Sequence, residues 1–241
     1  MKRIFVSDLY RLFRSYIIYI LPVTLTAGLV SKIIRGQGEI SQIGLGEVFD
    51  TASGMMVSII FLLADIVAVY FWNAEQRNGY IKNIAGSISN RQTLAFSKML
   101  TGMVIFTVFT VFSLIHAFLS NICCGIRIVN SGAAASAVEM LLQILTGIVS
   151  LAIMLLLYEV THSSAVCYIT AIMIWTGMIE TMIIQLTYLI FKWENTGRYM
   201  LRYGLDWENS GTAEDVVRSF IYLAVFLSAA VFVAKKQDVR S

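Results

Sequence analysis

Charged residues, proline and cysteine are all scarce in this chain. Only 14% of its 241 residues are charged and 58% are hydrophobic, whereas about 25% of residues are charged in an ordinary soluble domain. There is one proline, and the three cysteines show no C-x-x-C spacing, which excludes the common zinc and redox motifs. The sequence also lacks G-x-x-x-x-G-K-[ST], H-E-x-x-H and G-x-S-x-G. These absences exclude a P-loop ATPase and the usual zinc-protease and serine-hydrolase motifs.

Long apolar stretches take up most of the chain instead. Residues 15–31 carry no charge, and residues 51–74 carry only Asp65. A helix needs roughly 20 mostly apolar residues to cross a bilayer, so each stretch is predicted to be one transmembrane helix. We therefore predict an all-α polytopic membrane protein whose single membrane domain, 16–241, contains six spans. They are placed at residues 16–33, 51–74, 92–122, 136–158, 164–191 and 216–234.

The distribution of Lys and Arg predicts which side of the membrane each loop occupies. If both termini lie inside, the inner segments hold 11 of these residues and the outer segments hold seven. Because basic residues accumulate on the cytoplasmic side, we expect both termini to be cytoplasmic. The net charge of +3 then reflects orientation and does not indicate nucleic-acid binding. An outer insert, 192–215, is expected between the last two spans.

Residues 1–15 have the pattern of a helix that lies on the membrane surface. At 100° per residue, apolar side chains such as Leu9 and Leu12 occupy one half of the helical wheel. The opposite half holds Arg3, Arg11 and Arg14. This pattern predicts an interfacial amphipathic helix with its basic residues at the lipid headgroups. A plain basic flank of the first span is the alternative.

A polar segment between two long apolar stretches runs over residues 75–91. Apolar residues recur there at helical spacing, and Gly86-Ser87 interrupts them. Ser89-Asn90-Arg91-Gln92 has the S-x-x-Q spacing of a capping box at the start of the third span. The segment is therefore predicted to be a formed cytoplasmic elbow with a short helix. The third span exceeds the bilayer thickness, so its first turns, including Lys98, are expected to project into the cytoplasm.

The same segment resembles the loop between spans two and three of permease subunits of type-2 ATP-binding-cassette (ABC) exporters. Those subunits carry an acid, a glycine about four residues later, a hydrophobic stretch, Ser-x-Arg, a Leu and a Lys. The matching residues here are Glu75, Gly79, Ile81, Ser89-Asn90-Arg91, Leu94 and Lys98. The predicted layout, with six spans and both ends inside, is similar as well. In size and plan the chain is similar to small bacterial permeases of peptide export and lantibiotic self-protection.

This resemblance implies that residues 75–91 form a coupling helix that docks on a separate ATPase subunit. The implied coupling residues are Glu75, Arg77, Gly79, Ile81, Lys82, Ile84, Ile88 and Arg91. It further implies two ATPase copies that bind ATP and Mg, and a second permease, identical or homologous. No cofactor is expected in this chain itself. The implied location is the cytoplasmic membrane of a bacterium.

Three acidic residues fall within predicted spans, namely Asp65, Glu139 and Glu180. A carboxylate at mid-membrane costs roughly 2.5 kcal/mol or more on insertion scales, so we expect these side chains to face other helices or a wet path. One hypothesis is an acidic lining for a cationic amphipathic peptide. The alternative is structural, with each acid bonded to Ser, Thr or Gln on a neighbouring span. Gly102 and Gly147 are predicted to be close helix contacts.

Two other classes of function remain as alternatives. Glu139, Glu180 and the two histidines, His116 and His162, are residue types that an intramembrane enzyme could use as metal ligands or as acid and base. A membrane protein that only binds a ligand or assists assembly is the second alternative. Co-purification with an ATPase through residues 75–92 distinguishes the exporter from both.

Overall fold

The computed structural model describes residues 2–19, 23, 42–55, 59–77, 91–124, 126–192 and 213–236, and most of these residues are helical. The helices are α1 (Lys2–Arg14), α2 (Leu45–Met55), α3 (Phe61–Arg77), α4 (Arg91–Cys123), α5 (Ala133–Thr161), α6 (Ser164–Trp175), α7 (Met178–Phe191) and α8 (Ala213–Lys236). A short 3₁₀ turn covers Tyr16–Tyr19, and two strands, β1 and β2, cover Gln42–Gly44 and Arg127–Val129.

Helix α5 is the centre of the bundle. Its sequence is mostly apolar, with polar residues such as Gln143, Thr146 and Ser150 at helical spacing and buried, and it contacts α2, α3, α4, α6 and α8. Two glycines permit close packing around it. A Cβ added to Gly102 would lie 2.6 Å from Leu151, and one added to Gly147 would lie 2.6 Å from the Phe106 ring. The prediction that both glycines are close helix contacts is therefore confirmed.

Within the described residues, three helices are long and apolar enough to cross a membrane, at Gln92–Cys123, Ser136–Thr161 and Glu214–Lys236. The pair α6 and α7 would be a fourth if it forms one broken span. The prediction of a multi-span helical membrane protein is thus supported, whereas the number six stays a prediction. The first predicted span, 16–33, lies mostly outside the described residues. The second, 51–74, falls on α2 and α3, with 56–58 between them not described.

The predicted span 164–191 is not one straight helix, because the chain bends by 70° between α6 and α7; whether the pair crosses the membrane as one broken span stays a prediction. The bend lies at Thr176 and Gly177, and Gly177 adopts the left-handed conformation with φ +73°. A residue with a Cβ is strained in that conformation, whereas glycine is not. None of the residues of α7 is buried, so this helix extends away from the described bundle.

A small sheet joins the two segments that were predicted to be outer loops, so the all-α prediction is correct only for the bulk of the fold. Strands β1 and β2 are parallel, with Gln42 opposite Arg127 and Gly44 opposite Val129. Beside them, the N–H of Gly46 donates to the carbonyl of Ser131 at 2.8 Å. This pairing fixes the start of α2 against the start of α5. The outer insert 192–215 lies almost entirely outside the described residues.

A helix is present where the sequence predicts one at the N-terminus, and it packs against α4. The exposed side of α1 carries Val6, Tyr10 and Phe13, which suits contact with lipid; its position on a membrane surface stays a prediction. The assignment of Arg11 to the headgroup side is wrong, because Arg11 instead contacts Glu75 of α3. Asp8 and Leu12, on the same side as Arg11, are buried.

Candidate functional site

Four helices bring five charged side chains together at one end of the bundle. Helix α1 supplies Asp8 and Arg11, α3 supplies Glu75, α4 supplies Lys98 and α5 supplies Glu159. All but Arg11 are buried, with Asp8 and Glu75 each only 1% exposed. Charged residues are rarely buried unless they are paired. We call these five residues the inner charge cluster.

Lys98 is the most enclosed cation of the inner charge cluster. Its Nζ lies 2.5 Å from Glu159 Oε1 and 4.8 Å from the centroid of the Tyr158 ring. The Trp72 indole donates a hydrogen bond to the Lys98 carbonyl at 3.2 Å and packs against Tyr158, with 5.9 Å between ring centroids. The expectation that Lys98 projects into the cytoplasm is therefore wrong. Aromatic rings of two other helices, Trp72 of α3 and Tyr158 of α5, lie beside this residue, and Glu159 is its ion-pair partner inside the bundle.

Helix α1 joins the cluster through two polar contacts. The Ser97 hydroxyl donates to Asp8 Oδ2 at 2.6 Å. Arg11 Nη1 lies 3.3 Å from Glu75 Oε1, and the guanidinium also stands 5.5 Å from the centroid of the Phe71 ring. A hydrogen bond to a charged group is worth about 1.5–3 kcal/mol. These contacts hold α1 in register against α3 and α4.

The inner charge cluster holds three carboxyl groups against two cations. Among the described residues, Asp8 Oδ1 and Glu75 Oε2 are buried and have no hydrogen-bond donor. Burial raises the pKa of Glu75, which lies just beyond the predicted span 51–74, and the neighbouring Asp8 carboxylate raises it further. The positive charges of Lys98 and Arg11 lower that pKa by less. One bound proton would neutralise the cluster and supply the missing donor.

The structure describes only part of the predicted coupling segment. Glu75 lies in the inner charge cluster, whereas the side chains of Arg77 and Arg91 are outside the described set. Gly79, Ile81, Lys82, Ile84 and Ile88 also lie outside the described residues. The structure therefore places the two ends of the motif, Glu75 and Lys98, in one cluster.

A second buried acid lies deeper in the bundle. Asp65 of α3 is fully buried, and its Oδ2 accepts hydrogen bonds from the Trp175 indole at 2.7 Å and from the Ser150 hydroxyl at 2.9 Å. Trp175 and Ser150 each lie 11 residues from the turn between α5 and α6, which is about 16 Å along either helix. That distance is about half the thickness of a bilayer's hydrocarbon core, which is roughly 30 Å, and the site lies directly before the bend at Gly177.

The other two acids of the predicted substrate path do not join Asp65. Glu139 is half-buried in the second turn of α5, about 16 Å along that helix from Ser150. Glu180 is half-buried in the first turn of α7, beyond the 70° bend. The bonds that Asp65 makes to Ser150 and Trp175 match the structural alternative for this residue, while a contact with substrate stays untested.

Sequence reasoning missed Asp8, Arg11 and Glu159 as members of a site. One signal was available for Glu159, because Glu159 and Lys98 both fall near the inner ends of predicted consecutive spans. For α1 the helical wheel showed where its polar side chains lie but not which of them face the protein. Only the packing of α1 against Ser97 and Glu75 reveals this.

The histidines and cysteines form no site of their own. His116 is buried in α4, whereas His162 is exposed and ends α5 in a left-handed conformation with φ 50°. Within the described ranges, no three His, Cys, Asp or Glu side chains lie close enough together to hold a metal ion. No family model matches the chain, and searches of curated proteins and solved structures also find no match.

Proposed function

We propose that this chain is the membrane-spanning subunit of an ABC exporter and is driven by a separate ATPase. One observation carries the proposal beyond the sequence motif. Glu75 and Lys98, the acid and the lysine at the two ends of the motif, meet in a single buried charge cluster with α1 and α5. A force applied to residues 76–91 would therefore act on four helices together.

The physical mechanism is a rigid-body movement. Ile81, Ile84 and Ile88 supply an apolar face that fits a cleft on a partner, with Arg77 and Lys82 at its rim. ATP and Mg bind on the partner, and closure of two ATPase copies moves the elbow. Packed helix interfaces switch between discrete arrangements. The buried contacts of Glu75 and Lys98, one on each side of the elbow, prevent the movement from being absorbed locally.

The proposal includes a six-span layout with both termini in the cytoplasm of a bacterial cell. It also requires a second permease, either an identical or a homologous chain, so that two bundles enclose a path. Several described features support this layout: the three long apolar helices, the bent pair α6 and α7, and the apolar outer surface of α8. The excess of basic residues on the proposed inner side is consistent with it.

The proposed substrate is a cationic amphipathic or antimicrobial peptide. Asp65, Glu139 and Glu180 are the acids within helices that could attract such a peptide. The test neutralises all three, as Asp65→Asn, Glu139→Gln and Glu180→Gln, and measures export of a cationic peptide and of a neutral analogue from inverted vesicles. Loss of export for the cationic peptide alone is expected. Unchanged export at normal expression contradicts an acidic path.

Co-purification tests the coupling itself. The tagged full chain is expected to bring down an ATPase with a P-loop sequence, identified by mass spectrometry and by ATP hydrolysis. Ile84→Asp and Arg91→Glu should each release it. Val129→Asp is the matched control, because it places the same charge on an exposed residue of β2 at the opposite end of the bundle. A chain that never co-purifies with an ATPase contradicts the proposal and favours an intramembrane enzyme or a binding protein.

A further inference from the structure

A groove runs between α4 and α8 at the end of the bundle that carries Lys235 and Lys236. It has a cavity volume of about 360 Å³. Among the described residues, the lining is apolar apart from Gln92, Ser228 and Lys235, and no acidic residue contributes to it. The lining residues are Gln92, Phe96, Leu227, Ser228, Val231, Phe232 and Lys235.

The surroundings of the groove are those of a lipid-facing surface. Both walls belong to candidate membrane spans, Gln92–Cys123 and Glu214–Lys236. Beyond the groove, α8 continues as a strip of exposed apolar side chains that includes Phe220, Ile221 and Val225. Such a strip is unfavourable in water and favourable in hydrocarbon. A ligand that enters the groove from this side must therefore be apolar along most of its length.

The polar end of the groove favours a negative charge. Lys235 is exposed at the mouth, and it forms no ion pair with any residue that the structure describes. The neighbouring Lys236 is oriented differently, with its Nζ 4.7 Å from the centroid of the Phe232 ring. Gln92 also lines this end of the groove.

We propose that this groove binds an anionic phospholipid. One acyl chain lies against Phe96, Leu227 and Val231, and the phosphate group binds Lys235 at the mouth. Leu227 and Lys235 are eight residues apart, so the apolar wall extends about 12 Å from the charged end. A zwitterionic lipid fits the apolar wall equally well, and Lys235 provides the preference for a net negative headgroup. The site would exist whether or not the chain couples to an ATPase.

Fluorescence quenching in vesicles tests this site. The reporter is Phe96→Trp in the full-length chain, and the control reporter is Leu119→Trp, which is exposed on the same helix near its other end. All vesicles contain the same mixture of phosphatidylglycerol and phosphatidylcholine, with bromine on the acyl chains of only one of the two. Surface charge is then constant. The quenching of the parent protein's own tryptophans is subtracted.

Brominated phosphatidylglycerol is expected to quench Trp at position 96 more strongly than brominated phosphatidylcholine does, while position 119 shows no such preference. Lys235→Gln should lower the preference about fivefold, which is roughly the contribution of one basic residue near an anionic surface. Lys235→Arg should retain the preference. Lys236→Gln is the matched control and should leave it unchanged, because that side chain lies over the Phe232 ring.

Three results would overturn the proposal. Equal quenching by the two lipids at position 96 would mean that only bulk lipid contacts the groove. Absence of quenching by either lipid would mean that protein covers it, for example a second copy of this chain. An equal loss of preference in Lys235→Gln and Lys236→Gln would mean that general surface charge, and not a built site, attracts the lipid.

Discussion

Lys98 of α4 and Glu159 of α5 form a buried ion pair, with 2.5 Å between Nζ and Oε1. Both residues lie within regular helices, and their side chains are only 2% and 9% exposed. The contact therefore does not depend on the conformation of a flexible loop. The pair fixes the depth at which the two longest helices of the described bundle sit against each other.

Lys98→Met is expected to destabilise the folded protein by about 3–5 kcal/mol, because it leaves Glu159 buried without its cation. Denaturant unfolding in detergent micelles measures the loss. The double variant Lys98→Met/Glu159→Gln should recover part of it, since no uncompensated charge remains. Lys235→Met, which removes an exposed lysine, should change stability by less than about 0.5 kcal/mol. Equal effects of Lys98→Met and Lys235→Met would contradict the buried pair.

Glu75 predicts a pH dependence of stability. Because the folded protein raises the pKa of Glu75 from 4.5 to about 8, the folded state holds a proton that the unfolded state releases between those values. This contribution to stability is complete below pH 4.5 and is lost as the pH rises toward 8. One proton changes the free energy of unfolding by at most about 1.4 kcal/mol per pH unit.

The variant Glu75→Gln resembles the protonated form of Glu75. It should therefore remove the contribution of Glu75 to the pH dependence of the free energy of unfolding. Thermal unfolding of the parent and of the variant, measured between pH 5 and pH 8, provides the comparison. The two curves should converge at low pH and separate as the pH rises, with the variant more stable at the alkaline end. Parallel curves across this range would show that Glu75 is ionised throughout.

Gly147 and Gly54 make a matched pair for testing helix packing. Gly147→Ala is expected to cost about 1–3 kcal/mol through overpacking, because the added Cβ would lie 2.6 Å from the Phe106 ring. Gly54→Ala in α2 meets no atom within 4 Å and should stabilise the protein by roughly 0.5–1 kcal/mol, as in an ordinary helix. Unfolding in the same detergent measures both; a destabilised Gly54→Ala would contradict the open space at that position.

Trp175→Phe is expected to destabilise the protein by about 1–3 kcal/mol, because the Asp65 carboxyl loses the indole donor while it remains buried. Tyr70→Phe removes a hydroxyl from an exposed residue of the same helix as Asp65 and should change stability by less than about 0.5 kcal/mol. If Trp175→Phe unfolds like the parent, the hydrogen bond to Asp65 contributes nothing to the fold.

Sequence composition predicted the class of protein and several contacts well. The absence of charge over long stretches indicates helices α4, α5 and α8, because the cost of a charge in hydrocarbon leaves a clear pattern. Gly102 and Gly147 were recognisable as packing sites, since a small residue within an apolar helix allows close approach. Hydrogen bonding of Asp65 to a hydroxyl on a neighbouring helix was one of two alternatives, and the structure contains that bond.

What the sequence did not predict depends on backbone geometry and on contacts between distant residues. A hydropathy pattern identifies residues 164–191 as one apolar stretch, because it depends only on composition. It contains no information about backbone conformation, whereas the bend depends on the positive φ of Gly177. The burial of Asp8 and Lys98 was missed for a related reason. A charged residue in an amphipathic helix is assigned to water unless its partner is known, and Ser97 and Glu159 lie far away in the chain.

The parallel pairing of β1 and β2 sets an order for assembly of the protein. Antiparallel neighbours can pair as soon as a hairpin emerges, but these two strands are separated by residues 45–126, a loop whose closure is costly in chain entropy. Because residues 45–126 must first bring the two strands together, we expect the sheet to form late in assembly of the protein.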